Sequence, residues 1–499
     1  MSLIKFLIVN IAVLAFFLVV HYFLVNTLQI ISLIASIFFF NYSLFFLYNY
    51  NCYNFTFQFT ENLLSHNEIL IFNFNFGLDG LSLFFFLLTT FLLPLVLIFS
   101  SNLIKDILNF KFYLNIIFFL NFCLLMFFAT NNILIFYFFF EIVLLPIFIL
   151  IIFLGTRSRK ILASFYFFIY TFFGSIFFII SIIALYSEVQ SFDFLILLNY
   201  AYNINFQLYT WPLIAIAMLI KIPMFPFHLW LPEAHVEAPT VGSVYLASIL
   251  LKLGGYGFLR FLFIIFPVAT VFFTPFIQLL CVLSIFYSSA LILRQVDIKK
   301  IIAYSSIIHM NIAVFSIFTY CINGLQGSIL LMLAHGLSSG ALFFLVGILY
   351  ERHKSRLLIY YSGLFLLMPL FTFFFIFFCF CNTGFPGTIN FIGELLTFIS
   401  IIYYSVLSKT YYTTFLILFG FFSSTCFSIW LINKLVFGNI KTYQVITSPF
   451  NLHFYDLTKI EFLVLVPFTI YAIAFGLHPF ILKYSLQYSE LSLLIFNLI

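Results

Sequence analysis

Charge is what this sequence has least of. Only 7% of its 499 residues are Asp, Glu, Lys or Arg and 65% are hydrophobic, whereas a water-soluble domain carries roughly 25% charged and about half apolar residues. No long polar stretch separates the apolar runs, which excludes a large extramembrane domain and leaves one integral membrane domain over residues 1–499. Cysteine is sparse too. The seven thiols (Cys52, Cys123, Cys281, Cys321, Cys379, Cys381 and Cys426) lie mostly inside apolar runs with no C-x-x-C pair, so no disulfide framework, iron–sulfur cluster or zinc site is signalled. A G-x-G-x-x-G fingerprint is absent, and the glycine-rich Lys252-Leu253-Gly254-Gly255-Tyr256-Gly257 lacks the G-K-[ST] ending of a phosphate loop. Close helix packing accounts for those glycines, and no cofactor or metal is expected in this chain. The net charge of +5 is distributed over short loops and gives no sign of nucleic acid.

An apolar stretch to about Val20 follows Met1–Lys5, without a small-residue cleavage site or the Arg/Ser-rich character of a transit peptide. It reads as the first transmembrane helix. With 81 Phe and 30 Tyr, the composition leans toward residues with A/T-rich codons and suggests synthesis inside an A/T-rich organelle. Apolar runs recur near 3–24, 28–49, 78–100, 112–129, 131–154, 162–186, 208–229, 240–264, 268–293, 300–320, 327–350, 361–381, 388–407, 412–437 and 460–483. Only Thr383-Gly384-Phe385-Pro386-Gly387 and a few neighbours part 361–381 from 388–407. Those two read as halves of one broken helix, giving an all-α polytopic membrane protein of about fourteen transmembrane helices.

Ionisable residues inside such runs carry the functional argument. Glu141 and Lys252 each fall near the middle of a run, roughly 15 Å deep in a core about 30 Å thick. A lysine there costs on the order of 3 kcal/mol. Lys221 adjoins Pro223 and Pro226, which remove backbone donors and break the helix; Glu394 follows the second break, at Pro386, by two turns. Opened backbone at that depth is tolerated against protein or a water-filled cavity, and transporters build midplane ion sites this way. His309 and His335 lie within runs and His228 lies beside the first break; a group with an ordinary pKa near 6.5 suits a proton relay. The bland reading makes each charge an inert ion pair and each histidine a bonded packing residue. His21 and His66, near helix ends or in loops, are left to that reading.

The interval from Glu141 to Lys221 resembles in length that from His309 to Glu394, each ending at the charge of a broken helix. Residues 112–264 and 268–437 therefore form two five-helix repeats, and an odd helix number makes them inverted.

The residues from Lys221-Ile222-Pro223-Met224-Phe225-Pro226-Phe227-His228 through Trp230, Pro232-Glu233-Ala234-His235 and Ala238-Pro239-Thr240 to Lys252 and Gly257 resemble the signature of the antiporter-like subunits of respiratory complex I. Phe140-Glu141, Ala303-Tyr304-Ser305-Ser306 with His309, and Ala334-His335 to Ala341 extend the resemblance over roughly 78–437. Glu394, where other antiporter-like chains of the complex carry Lys, and Gly77-Leu78-Asp79-Gly80 resemble the chain-4 branch of NADH–ubiquinone oxidoreductase. A long lateral helix after residue 483, expected of the chain-5 branch, is not seen. The resemblance implies a proton-translocating subunit with Glu141 and Lys221 as a carboxylate–ammonium pair, Lys252 as central relay and Glu394 as terminal carrier. His228, His309 and His335 would assist. It further implies a multi-pass place in the mitochondrial inner membrane, in contact with lipid such as cardiolipin. Other membrane-arm subunits, among them two homologous antiporter-like chains, would be its partners, while NADH, FMN, iron–sulfur clusters and ubiquinone belong to other chains. Mrp-type sodium/proton antiporters share the same core, and a structural subunit with inert ion pairs is the remaining alternative. The Phe load, the 50–77 segment and the basic run Arg352-His353-Lys354-Ser355-Arg356 depart from the familiar pattern.

Most Lys and Arg fall in loops after odd-numbered helices, including Lys105, Arg157, Arg159, Lys160, Arg294, Lys299, Lys300, Arg352, Lys354 and Arg356; Lys5, Arg260, Lys409 and Lys483 fall on the other side. The bias places the odd loops on the side of synthesis. Labelling reagents applied from the opposite face of intact membranes are expected to leave 157–160, 294–300 and 352–356 untouched; modification there would overturn the orientation.

Overall fold

The computed structural model describes residues 2–19, 25–54, 56–62, 75–100, 107–155, 157–441 and 456–479. His21, His66, Lys105 and Lys483 lie outside the described residues. Helices in chain order are α1 (Leu3–Val19), α2 (Val25–Asn49), α3 (Gly80–Ser100), α4 (Ile107–Ala129), α5 (Ile133–Leu154), α6 (Lys160–Val189), α7 (Ile204–Lys221), α8 (Trp230–Glu237) and α9 (Thr240–Ile265). They continue with α10 (Pro267–Ile292), α11 (Ile298–Ile317), α12 (Ile322–His353), α13 (Pro369–Asn382), α14 (Ile389–Ser408), α15 (Tyr411–Leu435) and α16 (Lys459–Leu477). Thirteen of these are long and apolar enough to cross a membrane, and Leu3–Phe17 and Pro369–Asn382 are shorter apolar helices. Taking α13 and α14 as halves of one broken span leaves the expected fourteen.

Both breaks fall where proline and glycine place them. α7 ends on Lys221, and Pro223 and Pro226 hold the chain in turns until α8 starts at Trp230. α13 stops at Asn382, and Gly384 (φ +68°) and Gly387 (φ +91°) take left-handed conformations before α14 resumes. Three features went unread in the sequence. An antiparallel hairpin, β1 (Gln58–Asn62) with β2 (Asn75–Leu78), lies in the 50–77 segment. α8 is a short helix in the stretch left between the runs 208–229 and 240–264. α9 contains two π-helical turns, Leu246–Leu250 and Phe258–Leu262, on either side of Leu251–Gly257.

The described residues divide into two compact units. The first holds the described residues up to Lys221 and Leu253–Phe273, the second Ile222–Lys252 and the described residues from Thr274 onward. α6, in the first, shows how lipid inverts the pattern of a soluble helix. Phe165, Phe172, Phe173, Ile180 and Ile183 face outward, while Ser164, Thr171, Gly174, Ser175 and Ser181 face inward. The buried hydroxyls return to their own helix, as Thr171 donates to Phe167 O (2.6 Å) and Ser181 to Phe178 O (2.6 Å). Small polar residues thus sit at the helix seam, where close approach gains more than apolar burial does. In the second unit α12 is buried from Gly324 to Leu349, with α11, α14, α16 and the first turns of α9 packed around it.

Polar clamps secure the first unit. Glu61 of the hairpin accepts the Leu3 and Ile4 amides (3.0 and 3.1 Å), capping the positive end of α1. Asp79 caps α3 through Ser82 N (2.9 Å) and receives Arg260 Nη1 at 2.6 Å. The sequence reading placed Arg260 in a loop; it lies instead in the second π turn of α9, 7% exposed, with its guanidinium 4.6, 5.1 and 5.5 Å from the rings of Phe57, Phe194 and Tyr256. Burial pushes the Asp79 carboxyl up, but the Arg260 guanidinium outweighs it and holds the group below its ordinary value of 3.8. The clamp is therefore fully present above that value and is lost as the pH falls through the depressed one. Asp79→Asn strands a buried guanidinium and is expected to cost about 3 kcal/mol, read as a lowered unfolding midpoint at neutral pH. The difference from wild type should shrink in acid.

Candidate functional site

Each predicted relay residue is described by the structure. In the first unit, Glu141 lies on α5 one turn before Pro146, where Val143 interrupts the regular helix. Its Oε1 is buried without a hydrogen-bond partner. Lys221, 2% exposed at the end of α7, donates from Nζ to Phe140 O at 3.4 Å and stands 4.3 Å from the centroid of the Phe140 ring. The lysine thus reaches the backbone and ring of the residue next to Glu141. Among the described residues the direct ion pairs do not join Lys221 to the Glu141 carboxylate.

The second unit brings four predicted residues into one line. Lys252 is fully buried; its Nζ donates to Ala247 O, in the first π turn of α9, and lies 2.9 Å from His335 Nδ1 on α12. The His335 and His309 rings are 5.7 Å apart. His309 Nδ1, on α11, stands 3.7 Å from Glu394 Oε1 on α14. Four helices each contribute one member, Lys252 coming from the α-helical piece of α9 just after its first π turn, so the line crosses the packed unit from its centre to the second break. There the Glu394 carboxylate fills the space that a side chain on Gly384 would need, with Oε2 only 2.1 Å from the ideal Cβ position. His228 stands apart from this line. Its buried ring meets Tyr287 edge-on at 4.9 Å, and neither ring nitrogen has a partner.

Sequence reasoning missed a second set of buried polar residues beside α8. His235 is fully buried and stacks on Phe343 at 4.6 Å. Lys299, read as a loop residue, lies in the first turn of α11, 2% exposed, and donates to Ala238 O at 3.0 Å. Asp297 ahead of an apolar run is a helix-start signal that would have moved it indoors. In the basic run 352–356 the two arginines turn inward while Lys354 stays exposed: Arg352 pairs with Glu461 at 2.6 Å, and Arg356 lies 3.8 Å from Glu237. Among the described residues no group of His, Cys, Asp and Glu could hold a metal ion.

Residues 130–428 match the family described as "NADH:quinone oxidoreductase/Mrp antiporter, TM". NADH-ubiquinone oxidoreductase chain 4 of Chondrus crispus is 42% identical over 421 residues, covering 84% of this chain and 83% of its own. That of Marchantia polymorpha is 42% identical over 457 residues, covering 91% and 89%. Among solved structures, a chain of respiratory complex I from Thermus thermophilus superimposes with a TM-score of 0.80 at 22% identity, covering 97% of this chain and 98% of that one. A chain of the Mrp complex from Dietzia sp. gives 0.81 at 18% identity, covering 98% and 52%. At those identities the structural likeness speaks for fold alone, while the sequence matches select one branch. The chain belongs to the NADH-ubiquinone oxidoreductase chain 4 family, a multi-pass branch of the antiporter-like membrane proteins.

Proposed function

We propose that the protein is a proton-translocating membrane-arm subunit of NADH:ubiquinone oxidoreductase in the mitochondrial inner membrane, moving protons through Lys252, His335, His309 and Glu394. The observation that carries this reading is their alignment, since four titratable groups on four elements have no packing reason to meet. Each step asks little of the structure. A proton on Lys252 passes along its hydrogen bond to His335, the facing imidazoles exchange through a tautomer change, and a slight closing of the 3.7 Å between His309 Nδ1 and Glu394 Oε1 makes the last hydrogen bond. Glu141 and Lys221 serve as the other charged station. Lys221 sits on a carbonyl and a ring beside Glu141, so a small movement makes or breaks their pairing and with it the preference of the lysine for its proton. Residues 112–264 and 268–437 would be the two inverted units, each with an ionisable residue at its broken helix. The redox chemistry and its cofactors reside in partner chains, two of them homologous to this one.

Glu394→Gln preserves size and hydrogen bonding but cannot release a proton. It is expected to cut coupled quinone reduction by roughly a hundredfold while the complex still assembles. Glu394→Asp should keep part of the activity, and wild-type pumping by Gln would sink the relay. Glu141→Ala and Lys221→Ala should each depress coupled turnover, with the double variant less than additive.

The second break offers a geometric test. Ala strains the left-handed backbone at both Gly384 and Gly387, and more at Gly387, whose φ of +91° is farther from the region an L-residue tolerates, but only the Gly384 methyl collides with the Glu394 carboxylate, Gly387 having nothing within 4 Å. Coupled turnover should fall clearly further in Gly384→Ala than in Gly387→Ala. Equal losses would show that the break matters only for folding.

A further inference from the structure

The Glu141–Lys221 station has more polar company than its two charges. Tyr137 precedes Glu141 by one turn on α5, so the phenol and the carboxyl share a face of that helix. Ser175, fully buried on α6, turns its side chain to both of them. Its oxygen lies 2.8 Å from Phe172 O, a bond that its single hydrogen makes only when it is not given to Glu141. Ser164, Thr171 and Ser181 make the same kind of bond to their own helix, so the carboxyl and the phenol are what set Ser175 apart. Across from it Glu141 Oε1 is buried without a partner, and Lys221 Nζ rests on Phe140 O.

Backbone contact holds the serine at this depth. At Gly174 α6 comes so close to α7 that a Cβ would stand 3.0 Å from Ile220 Cδ1 and 3.3 Å from Ala217 Cα. Gly174 adjoins Ser175 and Ile220 adjoins Lys221, so the same seam places the hydroxyl and the ammonium against each other. Turning the O–H about the Cβ–Oγ bond re-aims the hydrogen from Phe172 O to the carboxylate and leaves the oxygen where it is. Phe172 O gives up little, because inside a helix it also accepts an amide from the next turn.

We propose that Ser175 is a positioning residue of the charged station, its hydroxyl turning from Phe172 O to the Glu141 carboxylate when Lys221 is drawn away, with Tyr137 donating to the same oxygen. The inference deepens the reading of Glu141 and Lys221 as a pair that opens and closes, and it rests on that reading. No proton is transferred in this step, since the serine keeps its hydrogen and changes only the atom it faces. A carboxylate held by this donor keeps its charge while the ammonium is away, and the pair can re-form. Without the donor it takes up a proton and the station loses its negative member.

The test uses the assembled complex in sealed proteoliposomes and follows coupled NADH-driven quinone reduction over a range of pH. Glu141 faces Tyr137 from its own helix, Ser175 from α6 and Lys221 from α7, and the pH dependence reads this set. Ser175→Ala is expected to slow coupled turnover about tenfold. Its deficit should widen as the pH falls, because a carboxylate short of one donor is protonated sooner. Ser175→Thr keeps the hydroxyl and should restore most of the rate, and Tyr137→Phe should slow turnover less than Ser175→Ala with the same pH trend. Wild-type turnover in Ser175→Ala, a loss of equal size at every pH, or an assembled Ser175→Thr no faster than Ser175→Ala would overturn the inference. If Ser175→Thr is too bulky to assemble, the pH dependence of Ser175→Ala, which removes a single oxygen, decides alone. Glu141→Gln run alongside separates the two ideas. A stalled Glu141→Gln beside a normal Ser175→Ala removes the serine and keeps the station, whereas wild-type pumping by Glu141→Gln removes the station and the inference with it.

Discussion

A lysine sealed among helices needs something to lie against, and here each of three buried lysines lies against a backbone carbonyl. Lys221 meets Phe140 O, Lys252 meets Ala247 O and Lys299 meets Ala238 O. In regular helix those oxygens would be committed to the next turn. All three belong to places where the helix is disturbed: the interruption at Val143, the π turn at Leu246–Leu250 and the end of α8 before Pro239. The irregularities and the charges are one design, because opened backbone without a donor and an ammonium without an acceptor would each be expensive.

A carbonyl is also a permissive partner. It accepts from an ammonium and from a neutral amine alike, so a proton can leave without abandoning the contact. A carboxylate pressed directly on the same lysine would favour the charged form strongly and hold it there. The arrangement keeps the lysines placed while leaving their charge free to change. The Asp79–Arg260 clamp is the contrast: a 2.6 Å pair, ringed by aromatics, on a group that does not give up its proton.

Much of this was legible in one dimension. Glu141, Lys252 and Glu394 announce themselves because a charge inside an apolar run is costly wherever the chain folds, and Pro223, Pro226, Gly384 and Gly387 mark breaks by local chemistry alone. The alignment of Lys252 with His335, His309 and Glu394 was not legible, since helix seams decide it. Nor was the partner of Arg260, found 181 positions away at Asp79. Lys299 and Arg356 were given to loops because basic residues near helix ends usually face water, a habit overridden here by acceptors on α8. π turns leave no mark in hydropathy, so α9 read as an ordinary span.

Those two wide turns give α9 an unusual mechanical character. Leu251–Gly257 is a short cylinder between two places where the helix can trade an i→i+5 bond for an i→i+4 bond. Each such trade shifts the local register by one residue, about 100° of rotation in an α-helix. A gain at one end matched by a loss at the other turns the cylinder while the helix termini stay where they are. Lys252 rides on that cylinder, so the places of the two π turns set the direction in which its Nζ meets His335.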